Sequence, residues 1–83
     1  MRDRGHEGAE TSAAEVARLA QLAYDRWRRT APKGTKSWKR SHPATKGEWR
    51  YCVRTLIYGG RPNVATWTPE LVELVAIVIR EYT

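Results

Sequence analysis

Between residues 26 and 61 the chain holds a single carboxylate, Glu48, against eleven Lys/Arg, a local charge of +10. The remaining residues carry four Lys/Arg and eight acids, −4, and the sum is the net +6. A shortage of negative charge confined to one stretch implies a basic face rather than a mixed surface. The plainer alternative is charge that serves solubility alone.

Other absences narrow the function. Cys52 is the only cysteine, so no intrachain disulfide can form. The longest apolar run, Leu74–Ile79, falls far short of the roughly 18 residues a membrane span needs. The polar N-terminus carries Asp3, Glu7 and Glu10, which does not suit a signal peptide. The expectation is a cytoplasmic protein with no membrane association. Arginine outnumbers lysine 11 to 4 and alanine is abundant. That bias suggests GC-rich coding, as in actinobacteria and their phages.

No catalytic set is visible. His6 sits in a polar tail and His42 in a loop, the carboxylates are scattered, and Cys52 falls among apolar residues as a small core side chain. His42 has no cysteine, acid or second histidine at ligand spacing, so no metal is expected. Gly59-Gly60 reads as a turn rather than a phosphate cradle. Neither an enzyme nor a cofactor is expected.

What is present organises around Thr68–Tyr82. Thr68 is an N-cap, Pro69 fits the first helical position and Glu70 faces the positive end of the helix dipole. Leu71, Val72, Leu74, Val75, Val78, Ile79 and Tyr82 spread over an arc about twice the roughly 100° an ordinary surface helix needs. Such a helix is either sandwiched between others or shared with a second chain. Val72, Ile77 and Ile79 are the candidate dimer or partner interface. Glu73 and Arg80, seven residues apart, are placed to meet their counterparts at the rim of an antiparallel pair.

Met1–Thr11, with two glycines and little to bury, is expected to be a disordered tail. Residues 12–83 form one domain. Ser12 and Glu15 have capping-box spacing, and Val16, Leu19, Ala20, Ala23, Tyr24 and Trp27 follow helical periodicity to residue 29. Asp25 can pair with Arg28 or Arg29. Residues 31–45, with two prolines and a glycine, form a long basic loop. In it Lys33, Lys36, Lys39 and Arg40 surround Trp38. Two roles suit that tryptophan: an anchor on the core, or an exposed ring that stacks bases while the cations hold phosphates. A second helix over 46–58 places Trp49, Cys52, Val53, Leu56 and Ile57 inward and Arg50, Tyr51, Arg54 and Tyr58 outward. Gly59 takes the left-handed cap, Arg61 follows, and Trp67 is placed to staple onto the last helix. The fold class is all-α, a small three-helix domain with Trp27, Trp49, Leu56, Leu71 and Val75 in one core.

Two resemblances attach to these residues. Trp67-Thr68-Pro69-Glu70 ahead of an apolar helix is similar to the opening of a Myb-type DNA-binding repeat. That repeat needs two further helices, which the residues up to Thr83 do not supply, so the phrase is read as capping chemistry. Leu22-Ala23-Tyr24-Asp25-Arg26-Trp27 and, after a loop, Lys46-Gly47-Glu48-Trp49-Arg50 resemble the ryanodine-receptor repeat domain, which also occurs as short bacterial and phage proteins. The glycine–aromatic segment and the Pro-Tyr/Trp turn usual between its helices are missing here. The resemblance implies paired helices ending in an interaction surface.

Two functions follow from this reading. One is nucleic-acid binding, to DNA or RNA, through Lys33, Lys36, Trp38, Lys39, Arg40, Arg50, Arg54 and Arg61. The other is a protein-interaction module, such as a phage-type factor that modulates an acidic host protein, with a homodimer through the last helix.

Overall fold

A computed structural model of the chain describes residues 12–63, 65 and 67–83. The tail expected at Met1–Thr11 lies outside them. The described chain forms three helices, α1 (Ala13–Arg28), α2 (Pro43–Ile57) and α3 (Pro69–Tyr82), with no strand among the described residues. Each pair of helices is in contact, so each helix buries part of its apolar face against the other two.

Helix α1 supplies half of the core. Val16, Leu19, Ala20, Ala23 and Tyr24 are buried at helical spacing. The alanines let its neighbours approach closely. Trp49, Cys52 and Val53 close the core from α2, and Val75 and Val78 from α3. Of the five core residues expected from sequence, Trp49 and Val75 are buried, while Trp27, Leu56 and Leu71 pack around the edge.

The α1 N-terminus uses half of the expected capping box. The Ser12 hydroxyl accepts from the Glu15 N–H at 3.1 Å. The Glu15 carboxylate, rather than reaching back, turns one helical turn onward to Arg18, 2.6 Å away. At α3, Thr68 accepts from the Leu71 N–H and Pro69 takes the first position, as the sequence indicates.

Helix α2 begins earlier than its sequence suggests. Residues 43–45 were expected in the loop, but Pro43, Ala44 and Thr45 belong to the helix. His42 is the N-cap, its Nδ1 accepting the Ala44 N–H at 3.0 Å. An imidazole acceptor stands where Ser, Thr, Asp or Asn is usual, and Pro43 at the first position starts the helix rather than prolonging the loop. The far end closes as expected. Gly59 has φ +84°, and the Gly60 and Gly59 N–H groups donate to the Thr55 and Leu56 carbonyls, at 2.9 and 3.1 Å. That is the Schellman arrangement.

Five aromatic residues form one connected group. Tyr24 contacts Trp27, Trp38 and Trp49, with ring centroids 5.2–5.5 Å apart. Trp49 also meets Trp27 and, at 4.7 Å, Trp67. Trp67 thus packs across onto α2. Tyr24, Trp27 and Trp49 meet at the centre of this group.

Candidate nucleic-acid interface

The connection from α1 to α2 is a string of hydrogen-bonded turns. The Thr35 N–H donates to the Pro32 carbonyl at 3.2 Å, across a turn whose third residue, Gly34, has φ +90°. A positive φ there suits glycine. The Arg40 and Ser41 N–H groups close two more turns onto Ser37 and Trp38. Side chains then tie the segment to the helices. The Tyr24 hydroxyl donates to the Lys36 carbonyl at 2.5 Å, Arg28 Nε to the Thr35 carbonyl at 2.9 Å, and Lys46 Nζ to the Lys39 carbonyl at 3.2 Å. The segment's backbone is held while its cationic tips have no hydrogen-bond or carboxylate partner among the described residues. Lys33, Lys36, Lys39 and Arg40 are all exposed.

Trp38 takes the anchoring role. It is half-buried against the core, with its ring edge-to-face on Tyr24.

The cations fall into two groups. Arg28, Arg29 and Lys33 line one open cleft at the end of α1, together with Asp25. The second group runs along α2. Lys46, Arg50 and Arg54 recur every four residues, a continuous ridge on one side of a helix. The Lys46–Lys39 bond joins this ridge to the end of the linker. Arg61 follows just past the Gly59-Gly60 turn, where the Asn63 N–H donates to the Tyr51 hydroxyl at 3.3 Å. That bond lays the segment after α2 alongside the helix's outer face. Lys46 is not among the residues expected at the site from the sequence. A helix starting at Pro43 puts it one turn before Arg50.

Ion pairing separates this surface from the rest. Among the described residues the pairs are Arg18–Glu15, Arg26–Glu81 and Arg80–Glu73, at 2.6, 2.6 and 3.3 Å. Hydrogen bonds from Arg18 and Arg26 hold the Glu15 and Glu81 carboxyls below the usual carboxylate range. Of the eleven cations between residues 26 and 61, only Arg26 has a carboxylate partner among the described residues. The pairing of Asp25 with Arg28 or Arg29 does not form; Arg28 is turned to the Thr35 carbonyl instead. Helix α2 also has no acid in its first turn to offset the positive end of its dipole.

No family model, curated protein or solved structure matches the chain. The reading of the site rests on its own geometry.

The apolar residues proposed as an interface on α3 are not one patch. Val72 and Ile79 lie within about 20° of each other around the helix, while Ile77 lies about 140° away, on the other margin. Val72 lines a groove with Leu56 and Trp67, Ile77 lines another with Arg26 and Leu74, and Ile79 packs toward the core. Val72 and Ile77 are half-exposed. Glu73 and Arg80 pair with each other within one chain, so the cross-chain pairing expected of them already has an internal substitute. No described helix is long and apolar enough to cross a membrane, and the described residues hold no His/Cys/Asp/Glu group suited to a metal.

Proposed function

We propose that the protein binds nucleic acid mainly through backbone phosphates. Lys39, Lys46, Arg50 and Arg54 form the contact ridge, Lys33, Lys36 and Arg40 lie on the adjoining linker, and Arg61 sits at the far end. The observation that carries this reading is the contrast in pairing: carboxylates partner Arg18, Arg26 and Arg80, while the other ten cations between residues 26 and 61 have none among the described residues. Solubility alone does not call for that segregation. Cations tied down at their backbones lose less freedom on meeting phosphates. Helix-turn-helix readout is not supported, because Tyr58–Thr68 separates α2 from α3 where that motif has a turn of about three or four residues. Binding dominated by phosphates falls in log affinity by roughly 0.7–0.9 per contact for each log unit of salt. Fluorescence anisotropy with random-sequence oligonucleotides measures this slope. Reversing Lys36, Lys39 and Arg40 to Glu should abolish binding and leave the helical circular dichroism intact, while Arg18→Glu should change little. Equal losses from both variants, or no binding at low salt, would remove the proposal.

A second reading, a protein-interaction module that docks an acidic partner or a second copy of the chain, is favoured by Val72 and Ile77. Both remain half-exposed without joining the core cluster. Because they occupy opposite margins of α3, a symmetric contact can use one of them at a time. Sedimentation equilibrium decides self-association: a monomer at high micromolar concentration excludes the dimer, and a dimer lost in Val72→Glu or in Ile77→Glu identifies the margin used.

A further inference from the structure

Three large apolar side chains stand exposed among the described residues: Tyr58 at 59%, Tyr82 at 46% and Tyr51 at 40%. Two of them, Tyr51 and Tyr58, lie on α2. With Trp49, Cys52 and Val53 setting the buried direction, the opposite side of α2 presents Gly47, Arg50, Tyr51, Arg54 and Tyr58 within about 100° of arc. Two rings therefore share one stripe with two guanidiniums, and neither ring is needed by the core. Each residue is fixed at one point. The Tyr51 hydroxyl is bonded by the Asn63 N–H. Tyr58 is the C-cap residue, its backbone fixed by the Schellman bonds. Next to it come Gly59 and Gly60, which have no side chains to cover its ring. Gly47, on the same stripe, faces open space.

We propose that this face of α2 is a stacking platform for single-stranded nucleic acid. Tyr58 and Tyr51 take the faces of unpaired bases, and Arg50, Arg54 and Arg61 hold the adjoining phosphates. The proposal rests on the nucleic-acid reading above and specifies the state of the ligand. A duplex offers these cations its phosphates but keeps its base faces stacked inside, and opening a step costs a few kcal/mol. A single strand offers both at once, and every base has a π face, so aromatic rings beside arginines bind it without regard to sequence. The stacking role that the sequence offered to Trp38 thus passes to tyrosines, since Trp38 is turned onto Tyr24.

The test uses the full chain and three labelled probes of about 20 nucleotides, longer than a roughly 4–16-nucleotide site: oligo(dT), oligo(U) and a mixed-sequence DNA duplex. At low salt, at least one of the single strands should bind about tenfold or more tighter than the duplex. Tyr58→Ala should weaken single-strand binding by about 5- to 150-fold and leave duplex binding unchanged. Tyr58→Leu keeps an apolar side chain without a π face and should show the same loss, whereas Tyr58→Phe should restore affinity. Arg54→Ala should weaken binding to single strands and duplex alike. A thermal melt of each variant separates a binding loss from an unfolded chain. A duplex bound as tightly as the better-bound single strand, or a Tyr58→Ala variant with unaltered or uniformly reduced affinity, overturns the platform while leaving phosphate binding standing. No binding of any probe at low salt overturns both.

Discussion

The two faces of α2 interleave residue by residue yet share almost no physics. Trp49, Cys52 and Val53 point inward and are at most 4% exposed. Arg50, Tyr51, Arg54 and Tyr58 point outward, the tyrosines 40% and 59% exposed. Burial of the first set is what lets α2 exist, since a helix of this length is marginal alone in water. The second set gains nothing from folding except its arrangement. Helical periodicity thus separates stability from the proposed binding between adjacent residues, and neighbouring substitutions should have unrelated consequences.

The sharpest way to break this comparison is to exchange the outcomes of its two sides. Trp49→Ala should cost about 3–5 kcal/mol. A domain this size holds little more than about 5 kcal/mol in total, so the variant should show no cooperative melt by circular dichroism. Arg50→Glu with Arg54→Glu, each next in sequence to a buried residue, Trp49 or Val53, should shift the melting temperature by no more than about 4–8 °C. It should also lower the salt slope of nucleic-acid binding by about 2. A cooperatively melting Trp49→Ala protein, or an unfolded double-arginine variant, would mean that the two faces are not separable.

A smaller effect sharpens the inner side. Burial pushes the Cys52 thiol up to about 12 from its ordinary 9.0. The unfolded chain therefore releases this proton first as pH rises. The contribution is complete below about pH 9 and is lost progressively between 9 and about 12, by at most about 1.4 kcal/mol per pH unit. Denaturant melts of wild type and Cys52→Ala across that range should converge, with the wild type falling more steeply. Parallel curves would show that the thiol is not kept from water.

The helices that were easy to read from sequence were those whose ends use common chemistry. Ser12 and Thr68 are ordinary N-caps, and both starts lie where the sequence puts them. The start of α2 was hidden because His42 is an uncommon cap and because Pro43 and Thr45 suit a loop as well as a first turn. The fate of Trp38 was not legible, since a tryptophan among lysines serves equally as anchor or stacking ring; only the position of Tyr24 in space decides. The width of the apolar arc on α3 was legible. Its division into two margins follows from the same periodicity, but how far each margin stays uncovered was not legible, because that depends on where α1 and α2 cross it.

Trp38 and Trp67 lie in different connections, one before α2 and one after it, yet both join the same aromatic group through Tyr24 and Trp49. The rings form an unbroken path from the first connection through α1 and α2 to the second. Neither connection can swing away without unpacking a ring from the group that holds the other. In hydrogen exchange the two should open together as one cooperative unit, with the slow opening of α2 rather than the fast fluctuations of free loops.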